Sequence, residues 1–249
     1  MADPGGLRHV SPLAGAFNFR DLGGLRAGPL RRVRDGVLFR SDTLQALTDD
    51  DVTRLVDRLG VELLVDLRLG PETVSQGRGP LAAAEVCYLN APLPTVPVTD
   101  LPPAEQTLHF YRANLDSRSP VLPTVVRLIA ATAGRPTVLH CAAGKDRTGL
   151  VTALTLGLAG VDEDDIVDDY VASAHNMPRI VERFRGWPFY REHMAAVPAE
   201  VYQAQERTIR GFLEVLDREW GGAAGWAAAR GIPAAVLAEL TDGLLEPVP

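Results

Sequence analysis

A cysteine and an arginine six residues apart stand between two apolar runs of different length. The run 137–139 is typical of a buried strand, and the run after Thr148 is typical of a buried helix. A loop between a strand end and a helix N-terminus points backbone N–H groups inward and adds the positive end of the helix dipole. The segment with Cys141 and Arg147 is therefore predicted to bind an oxyanion beside a thiol and a guanidinium.

Each side chain of this loop has a separate chemical reason to be there. A thiol at a helix N-terminus and near cations loses its proton readily, so Cys141 is the predicted nucleophile. Arg147 can hold two oxygens of a tetrahedral anion with its planar fork, which a lysine cannot do. His140 is expected to orient the loop, and Gly144 to leave room for backbone close to the anion. The Thr148 hydroxyl is expected to donate to the sulfur.

The nine residues from His140 to Thr148, His-Cys-Ala-Ala-Gly-Lys-Asp-Arg-Thr, resemble a known signature loop. The pattern His-Cys-x5-Arg-Ser/Thr belongs to the cysteine-dependent protein tyrosine phosphatase superfamily. The Gly-Lys-Asp-Arg-Thr ending is similar to that of the atypical bacterial tyrosine/serine phosphatases, a family with mycobacterial members. Far earlier in the chain, Asn18-Phe-Arg-Asp-Leu-Gly-Gly24 resembles the N-terminal motif of the same family. The resemblance extends over most of the chain.

This resemblance implies metal-free hydrolysis of phosphomonoesters, without a cofactor, through a phosphocysteine on Cys141. Phosphotyrosine proteins are the expected substrates, and Lys145 would also admit phosphoserine, phosphothreonine or phosphoinositides. The residues expected to bind substrate are Ala142, Ala143, Gly144, Lys145, Thr148 and Asp66. No ligand spacing for a metal is visible among the five histidines.

The source of the leaving-group proton stays open between two carboxylates. Many members of the superfamily use a Trp-Pro-Asp loop before the signature loop, but Trp187-Pro188 follows it here and precedes Phe189. Asp146 is the first candidate, by similarity to lipid-phosphatase loops of the form Cys-x4-Asp-Arg-Thr. Asp66 is the second, because it ends an apolar run that should open on the same side of the sheet as the loop.

The same residues and their neighbours allow other interpretations. Cys87, in Val86-Cys-Tyr-Leu, is predicted to be a small core side chain. A nucleotide-binding P-loop is excluded because Asp146 stands where that motif requires Ser or Thr. A phosphate-binding adaptor should lack Cys141, Arg147 or the acid. A persulfide-carrying sulfurtransferase gives no reason for the Lys-Asp-Arg-Thr ending. These two remain as alternatives.

The elements that must position the loop follow from periodicity and turn residues. Strands that alternate with helices and end in a strand–loop–helix anion site indicate an α/β fold, with a central, mostly parallel sheet flanked by helices and the site at the strand C-termini. Predicted strands span 31–34, 37–41, 61–68 and 86–89, the first two forming a hairpin turned at Asp35-Gly36. Predicted helices run from Thr48 to about Leu59, near 104–117 and 120–133, and from the loop to Gly160.

The remaining segments are predicted from composition and from the resemblance. Residues 1–16 should form a loosely held arm, and the proline-rich connection from Ala91 to Pro103 is long enough to be functional or mobile. The acids of 161–169 should stabilise a helix dipole rather than bind metal. The segment 165–200 resembles the mobile helical lid of the family, with Trp187, Phe189, Tyr190 and Met194 lacking an obvious core to join. Final helices are predicted at about 198–218, 222–230 and 233–245.

Composition limits the function classes that remain. The 249 residues are 46% hydrophobic and 23% charged, which is typical of one globular domain, 1–249, with a sizeable core. A net charge of -7 argues against a broad nucleic-acid surface. Two cysteines fit a reducing compartment. With no long apolar run and no signal-peptide pattern, a cytoplasmic protein, or one exported without a recognisable signal, is expected. The sequence indicates no oligomeric state.

Overall fold

The fold is described from a computed structural model, which covers residues 13–94, 101–195 and 198–248. The strands are β1 (Arg20–Asp21), β2 (Arg26–Ala27), β3 (Arg31–Val33), β4 (Leu38–Ser41), β5 (Leu63–Asp66), β6 (Cys87–Asn90), β7 (Thr137–His140) and β8 (Leu245–Pro247). The helices are α1 (Asp49–Thr53), α2 (Gly70–Gln76), α3 (Pro103–Asp116), α4 (Val121–Ala131), α5 (Asp146–Ala159), α6 (Glu163–Gly186), α7 (Pro188–Ala195), α8 (Glu206–Trp220), α9 (Ala223–Ala229) and α10 (Ala234–Leu244). A π-helical turn (Arg54–Arg58) continues α1, and 3-10 turns span Gly79–Ala83 and Ala199–Tyr202.

A five-stranded sheet in the order β1-β4-β7-β5-β6 forms the centre. β4, β7, β5 and β6 are parallel, and β1 adds antiparallel at one edge. His140 at the end of β7 is in register with Ser41 on one side and Asp66 on the other. The mostly parallel α/β fold is therefore confirmed, and the carboxyl ends of three strands meet at the loop that follows His140.

Side chains alternate between two hydrophobic cores on the two faces of the sheet. Leu139 and Val65 face the larger core, which α5 enters as an almost wholly buried helix among α4, α9 and α10. Val138 and Leu64 face a smaller core under α1, the π-helical turn and the Gly79–Ala83 turn. β7 is buried along its whole length, so the loop after it starts from a fixed strand end.

The start of the described chain is fixed by the cap of α1. The predicted cap is confirmed: the Thr48 hydroxyl accepts the Asp51 N–H at 3.2 Å, and the Asp51 carboxylate accepts the Thr48 N–H at 3.0 Å. The same carboxylate accepts the N–H groups of Ala14 and Gly15 at 2.9 and 2.8 Å. Residues 13–16 are thus not a loose arm, because Asp51 holds their backbone. The rest of that predicted arm, 1–12, lies outside the described residues.

The predicted hairpin between 31–34 and 37–41 is wrong. β3 pairs with β2 and β8 in a separate three-stranded sheet, whereas β4 pairs with β1 and β7. β4 is fully buried at the centre of the molecule, whereas Arg31 and Arg32 of β3 stay partly exposed. At the bend, Gly36 has a φ of 76° and donates its N–H to the Asp21 carboxylate at 2.7 Å.

Two further predictions differ from the structure. Cys87 is exposed, because it lies on β6, the outermost strand, and not in the core. The helix predicted at 198–218 is divided into a 3-10 turn and α8, which begins only at Glu206. Strand β8 was not predicted at all. Part of the proline-rich connection, 95–100, lies outside the described residues. No helix in the described ranges is long and apolar enough to cross a membrane.

Candidate active site

The loop of residues 141–145 joins β7 to α5 and carries the predicted nucleophile. Cys141 is 2% exposed and stands directly after the buried strand. Gly144 has a φ of 66°, and a Cβ there would lie 2.5 Å from the Ser41 carbonyl oxygen and 2.6 Å from the Asp42 nitrogen. Glycine is therefore required because the end of β4 packs against the loop. The predicted need for space beside an anion stays a prediction.

The peptide groups of the loop are arranged with carbonyls on one side. The side-chain amide of Asn18 donates to the carbonyls of Gly144 at 3.1 Å and Ala143 at 3.3 Å, and Arg40 donates to Gly144 at 2.6 Å. By contrast, the N–H groups of 142–147 donate to no group in the described part of the chain. A run of unpaired amides before a helix N-terminus is a ready oxyanion cradle.

Arg147 is held by a carboxylate. Its guanidinium makes a two-pronged pair with Glu72 of α2, in which Nη2 lies 3.0 Å from Oε1 and Nη1 contacts Oε2. Burial lowers the pKa of Arg147, but the charges of Cys141 and Glu72 outweigh burial and raise it overall. The guanidinium therefore stays charged near the thiol, where Glu72 holds it.

Lys145 does not face a substrate position. Its side chain is fully buried, and Nζ donates to the Asp146 carboxylate at 2.6 Å and to the carbonyls of Val201 and Gln203 at 2.8 and 3.3 Å. The predicted role of Lys145 in binding substrate is thus corrected, because its ammonium group is already hydrogen-bonded to Asp146 and to the backbone of the segment before α8. Asp146, at the first position of α5, remains 32% exposed.

Asp66 lies beneath the loop. It is fully buried, its two oxygens contact the Arg68 guanidinium at 2.6 to 3.0 Å, and it accepts the Tyr88 hydroxyl at 2.9 Å. Burial alone would raise the pKa of Asp66, but His140 and Arg68 lower it to about 2. A buried carboxylate whose pKa is lowered in this way is a poor proton donor, so the surroundings of Asp66 support neither its predicted role as acid nor its predicted contact with substrate.

His140 and Thr148 are buried without the predicted contacts. Burial lowers the pKa of His140 to about 4, so the imidazole is neutral at neutral pH. Its Nε2 lies 3.7 Å from Asp66, and its Nδ1 has no hydrogen-bond partner among the described residues. The Thr148 hydroxyl also has none there, so the expected donation to the Cys141 sulfur is not formed.

Aromatic residues of α6 and α7 cover the loop. Phe184 and Tyr190 stack with ring centroids 4.5 Å apart, and Trp187 packs beside Tyr190 at 6.0 Å. The cluster packs on Ala142 and Ala143 and also includes Phe17, Met177, Ile180, Val181, Phe189, Met194 and Tyr202. The aromatic residues predicted to lack a core thus form one against Ala142 and Ala143, the two residues that follow the predicted nucleophile.

Several residues of this site were missed by the sequence analysis. Asn18 belongs to the recognised N-terminal motif, but nothing in a single sequence indicated that its side chain reaches the loop. Glu72 sits in the first turn of a helix, where an acid is ordinary. Asp42 is fully buried, and Arg183 of α6 pairs with it at 3.2 Å. Such pairs join distant segments, so spacing along the chain carries no signal for them.

In the described ranges of the chain, no group of three or more His, Cys, Asp or Glu side chains could hold a metal ion. The acids of 161–169 are in helix α6 instead, where Glu163, Asp164 and Asp165 form its first turn.

Comparisons of this sequence with known proteins point to one family. The model of the tyrosine phosphatase family matches residues 11–246. The triple specificity protein phosphatase PtpB of Mycobacterium tuberculosis is 30% identical over 281 residues, spanning 95% of this chain and 99% of that protein. A tyrosine-protein phosphatase of Nostoc commune is 35% identical over 142 residues, or 55% of this chain and 48% of its own. Among solved structures, the Siw14 catalytic core aligns over 90% of this chain and 96% of its own, at 16% identity and a TM-score of 0.43.

Proposed function

Because this chain belongs to the tyrosine phosphatase family and is a cysteine-dependent protein-tyrosine phosphatase, we propose that it hydrolyses phosphomonoesters through a phosphocysteine on Cys141. One observation carries the proposal. The amides of 142–147 have no acceptor in the described structure, and they lie between a buried thiol and the guanidinium of Arg147. A phosphoryl group supplies the oxygens that such a cradle lacks.

The proposed reaction has two steps, neither of which uses a metal. The Cys141 thiolate attacks phosphorus in line, the phosphorus–oxygen bond to the leaving group breaks, and Asp146 gives that oxygen a proton. Water then attacks the phosphocysteine, Asp146 takes a proton from it, and the thiolate is released with inorganic phosphate. Arg147 stabilises the phosphoryl oxygens, since a guanidinium has five N–H donors and the pair with Glu72 leaves others free.

Phosphotyrosine proteins are the proposed main substrates. The rings of Phe184, Trp187 and Tyr190 beside the loop support an aromatic substrate, because they offer it a surface for stacking. Action on phosphoserine, phosphothreonine and phosphoinositides is proposed as a second activity. Its support is the similarity to a triple specificity phosphatase, and no longer Lys145, whose charge is turned away from the loop.

We further propose that 1–249 is one phosphatase domain in which roughly 165–200 acts as a lid. Because contacts hold the first part of α6 in place, we propose that the lid moves by bending at a hinge within this helix. Asp169 is paired with Arg20 at 2.7 Å, and Ser173 accepts a hydrogen bond from the same guanidinium at 3.0 Å. The moving part therefore begins after Ser173. Pro178 lies inside the helix and removes one of its backbone hydrogen bonds, which makes it the natural place to bend.

Phosphate release from a panel of substrates tests this function. Phosphotyrosine, phosphoserine and phosphoinositide substrates would be assayed with the wild type, Cys141→Ser and Cys87→Ser. Cys87 is the matched control, because it is exposed on an edge strand away from the loop. Cys141→Ser should lose nearly all turnover on every substrate, and Cys87→Ser should keep it. Turnover by Cys141→Ser at a tenth of the wild-type rate would refute the assignment of the nucleophile.

A further inference from the structure

We propose that Arg40 and Asn18 are positioning residues for catalysis, which fix the peptide groups of the loop so that their N–H groups face the phosphate. The inference rests on the proposed function, because it assigns the cradle's orientation to particular side chains. Neither residue touches the position of the phosphate. Both act through the carbonyls of Ala143 and Gly144.

Arg40 contacts the loop from inside the protein. It lies on β4, its side chain is 1% exposed, and Nη2 donates to the Gly144 carbonyl at 2.6 Å. Its Nη1 donates to the Asp169 carboxylate at 2.5 Å. A planar guanidinium that donates from one nitrogen to a carboxylate and from the other to a carbonyl fixes the direction of that carbonyl.

Asn18 contacts the same carbonyl from the N-terminal motif. It is 1% exposed, and its Nδ2 donates to Gly144 at 3.1 Å and to Ala143 at 3.3 Å. The other end of its amide is fixed too, because Oδ1 accepts from Arg20 at 2.5 Å. Only the nitrogen end can therefore face the loop. The contact between Arg20 and Asn18 gives a physical reason for the presence of both residues in this motif, which the sequence alone does not give.

The link from these carbonyls to the cradle is the planarity of the peptide bond. In a trans peptide the C=O of one residue and the N–H of the next point in opposite directions. A fixed Ala143 carbonyl fixes the Gly144 N–H, and a fixed Gly144 carbonyl fixes the Lys145 N–H. Neither N–H has an acceptor in the described structure, so both remain for the anion.

The position of the glycine makes such fixing necessary. Gly144 has a φ of 66°, and glycine crosses between backbone conformations more easily than any other residue. A rotation of the 144–145 peptide would turn a carbonyl oxygen toward the phosphate and repel it. The two hydrogen bonds from Arg40 and Asn18 to this carbonyl oppose that rotation.

Arg40 does not draw the anion to itself, because its guanidinium is buried and is directed at the Gly144 carbonyl and at Asp169. Asp169 contacts Arg40 from the far side and is shared with Arg20, which it contacts at 2.7 Å. Burial, the main cause, lowers the pKa of Arg20 to about 10, which still leaves the guanidinium charged at neutral pH. The network thus directs its donors at the backbone of the loop, and its two guanidiniums share the carboxylate of Asp169.

Equilibrium binding of inorganic phosphate separates this role from general stability. Arg40→Met and Asn18→Ala would each be made in a Cys141→Ser parent, so that turnover plays no part. Arg26→Met is the matched control: it removes another Arg–Asp pair to α6, with Asp165 at 3.1 Å, and no contact to the loop is described for it. The dissociation constant for phosphate and the thermal midpoint would be measured on each folded variant.

The parent should bind phosphate, the control should bind it equally well, and both loop variants should bind at least about tenfold more weakly. If Arg40→Met does not fold, Asn18→Ala decides, since it removes a smaller side chain. Folded variants that bind like the parent would overturn the positioning role and leave the proposed function intact. A parent that does not bind phosphate would overturn the proposed function, and the positioning role with it.

Discussion

At the scale of single residues, two carboxylates near the loop differ in what each can do with a proton. Asp66 is fully buried, and its pKa is lowered to about 2 against the effect of burial, by His140 and Arg68. Asp146 stands at the first position of α5 and is 32% exposed. We therefore propose Asp146, the more exposed of the two, as the residue that gives the leaving group its proton.

Asp146→Asn should slow the hydrolysis of alkyl phosphates far more than that of aryl phosphates with good leaving groups. A good leaving group departs without a proton, so the contrast isolates acid catalysis from structural damage. We expect a loss of about 100-fold or more on the alkyl substrate, the usual size of such a contribution. The measurement is kcat/KM on both substrates. Equal losses would mean that Asp146 has a positional role, such as holding Lys145.

At the scale of elements, α6 combines an anchored half with a half that packs against the loop. Its first turns are fixed by Asp165 and Asp169, which pair with arginines of the N-terminal strands. Its last turns and α7 carry Phe184 and Tyr190 onto Ala142. This division follows the sequence of the helix: five of its first seven residues are acids, whereas Met177, Ile180 and Phe184 in its second half join the cluster on Ala142.

Replacing 179–197 with a short Gly/Ser linker should speed inactivation by hydrogen peroxide. A reactive thiolate is vulnerable to oxidation when nothing covers it. Turnover of a small aryl phosphate should stay the same or rise, because access no longer waits for opening. The measurement is the rate of inactivation by peroxide beside kcat, with Phe184→Ala as a milder variant. An unchanged rate of inactivation in a folded, active variant would show that this segment does not protect Cys141.

Particular elements show which features of the fold and of the site could be predicted from the sequence. The strand–loop–helix unit from β7 to α5 was predictable, because its apolar runs and its motif are contiguous. The capping box of Thr48 was too, for the same reason. The pairing of β3 with β8, and the contact of Arg147 with Glu72, were not. Those depend on which distant segments meet, and one sequence holds no local pattern for them.

At the scale of the whole molecule, burial of polar groups under the site ties global stability to pH. His140, Asp66 and Arg68 are all at most 2% exposed beneath the loop. Burial lowers the pKa of His140 from 6.5 to about 4. The folded protein therefore keeps the imidazole neutral in a range of pH where the unfolded chain takes up a proton, and acidification through that range favours unfolding.

His140→Gln should make the free energy of unfolding less sensitive to acid. The contribution of the neutral imidazole is complete above the unfolded pKa of 6.5 and is lost as the pH falls toward the folded pKa of about 4. Between about pH 7 and about pH 5 the wild type should lose about 2 kcal/mol more than the variant. Urea unfolding at the two pH values measures this. Parallel losses in both proteins would mean that His140 is already charged when folded.

The central claim, a covalent phosphoryl group on Cys141, is tested most directly by mass spectrometry after rapid acid quench. The enzyme would be mixed with an aryl phosphate, quenched during turnover and digested. The wild type and Cys87→Ser should each carry one phosphoryl group on the peptide that contains Cys141, and Cys141→Ser should carry none. A phosphoryl group on any other residue of a turning-over enzyme, or turnover that persists in Cys141→Ser, would contradict the claim.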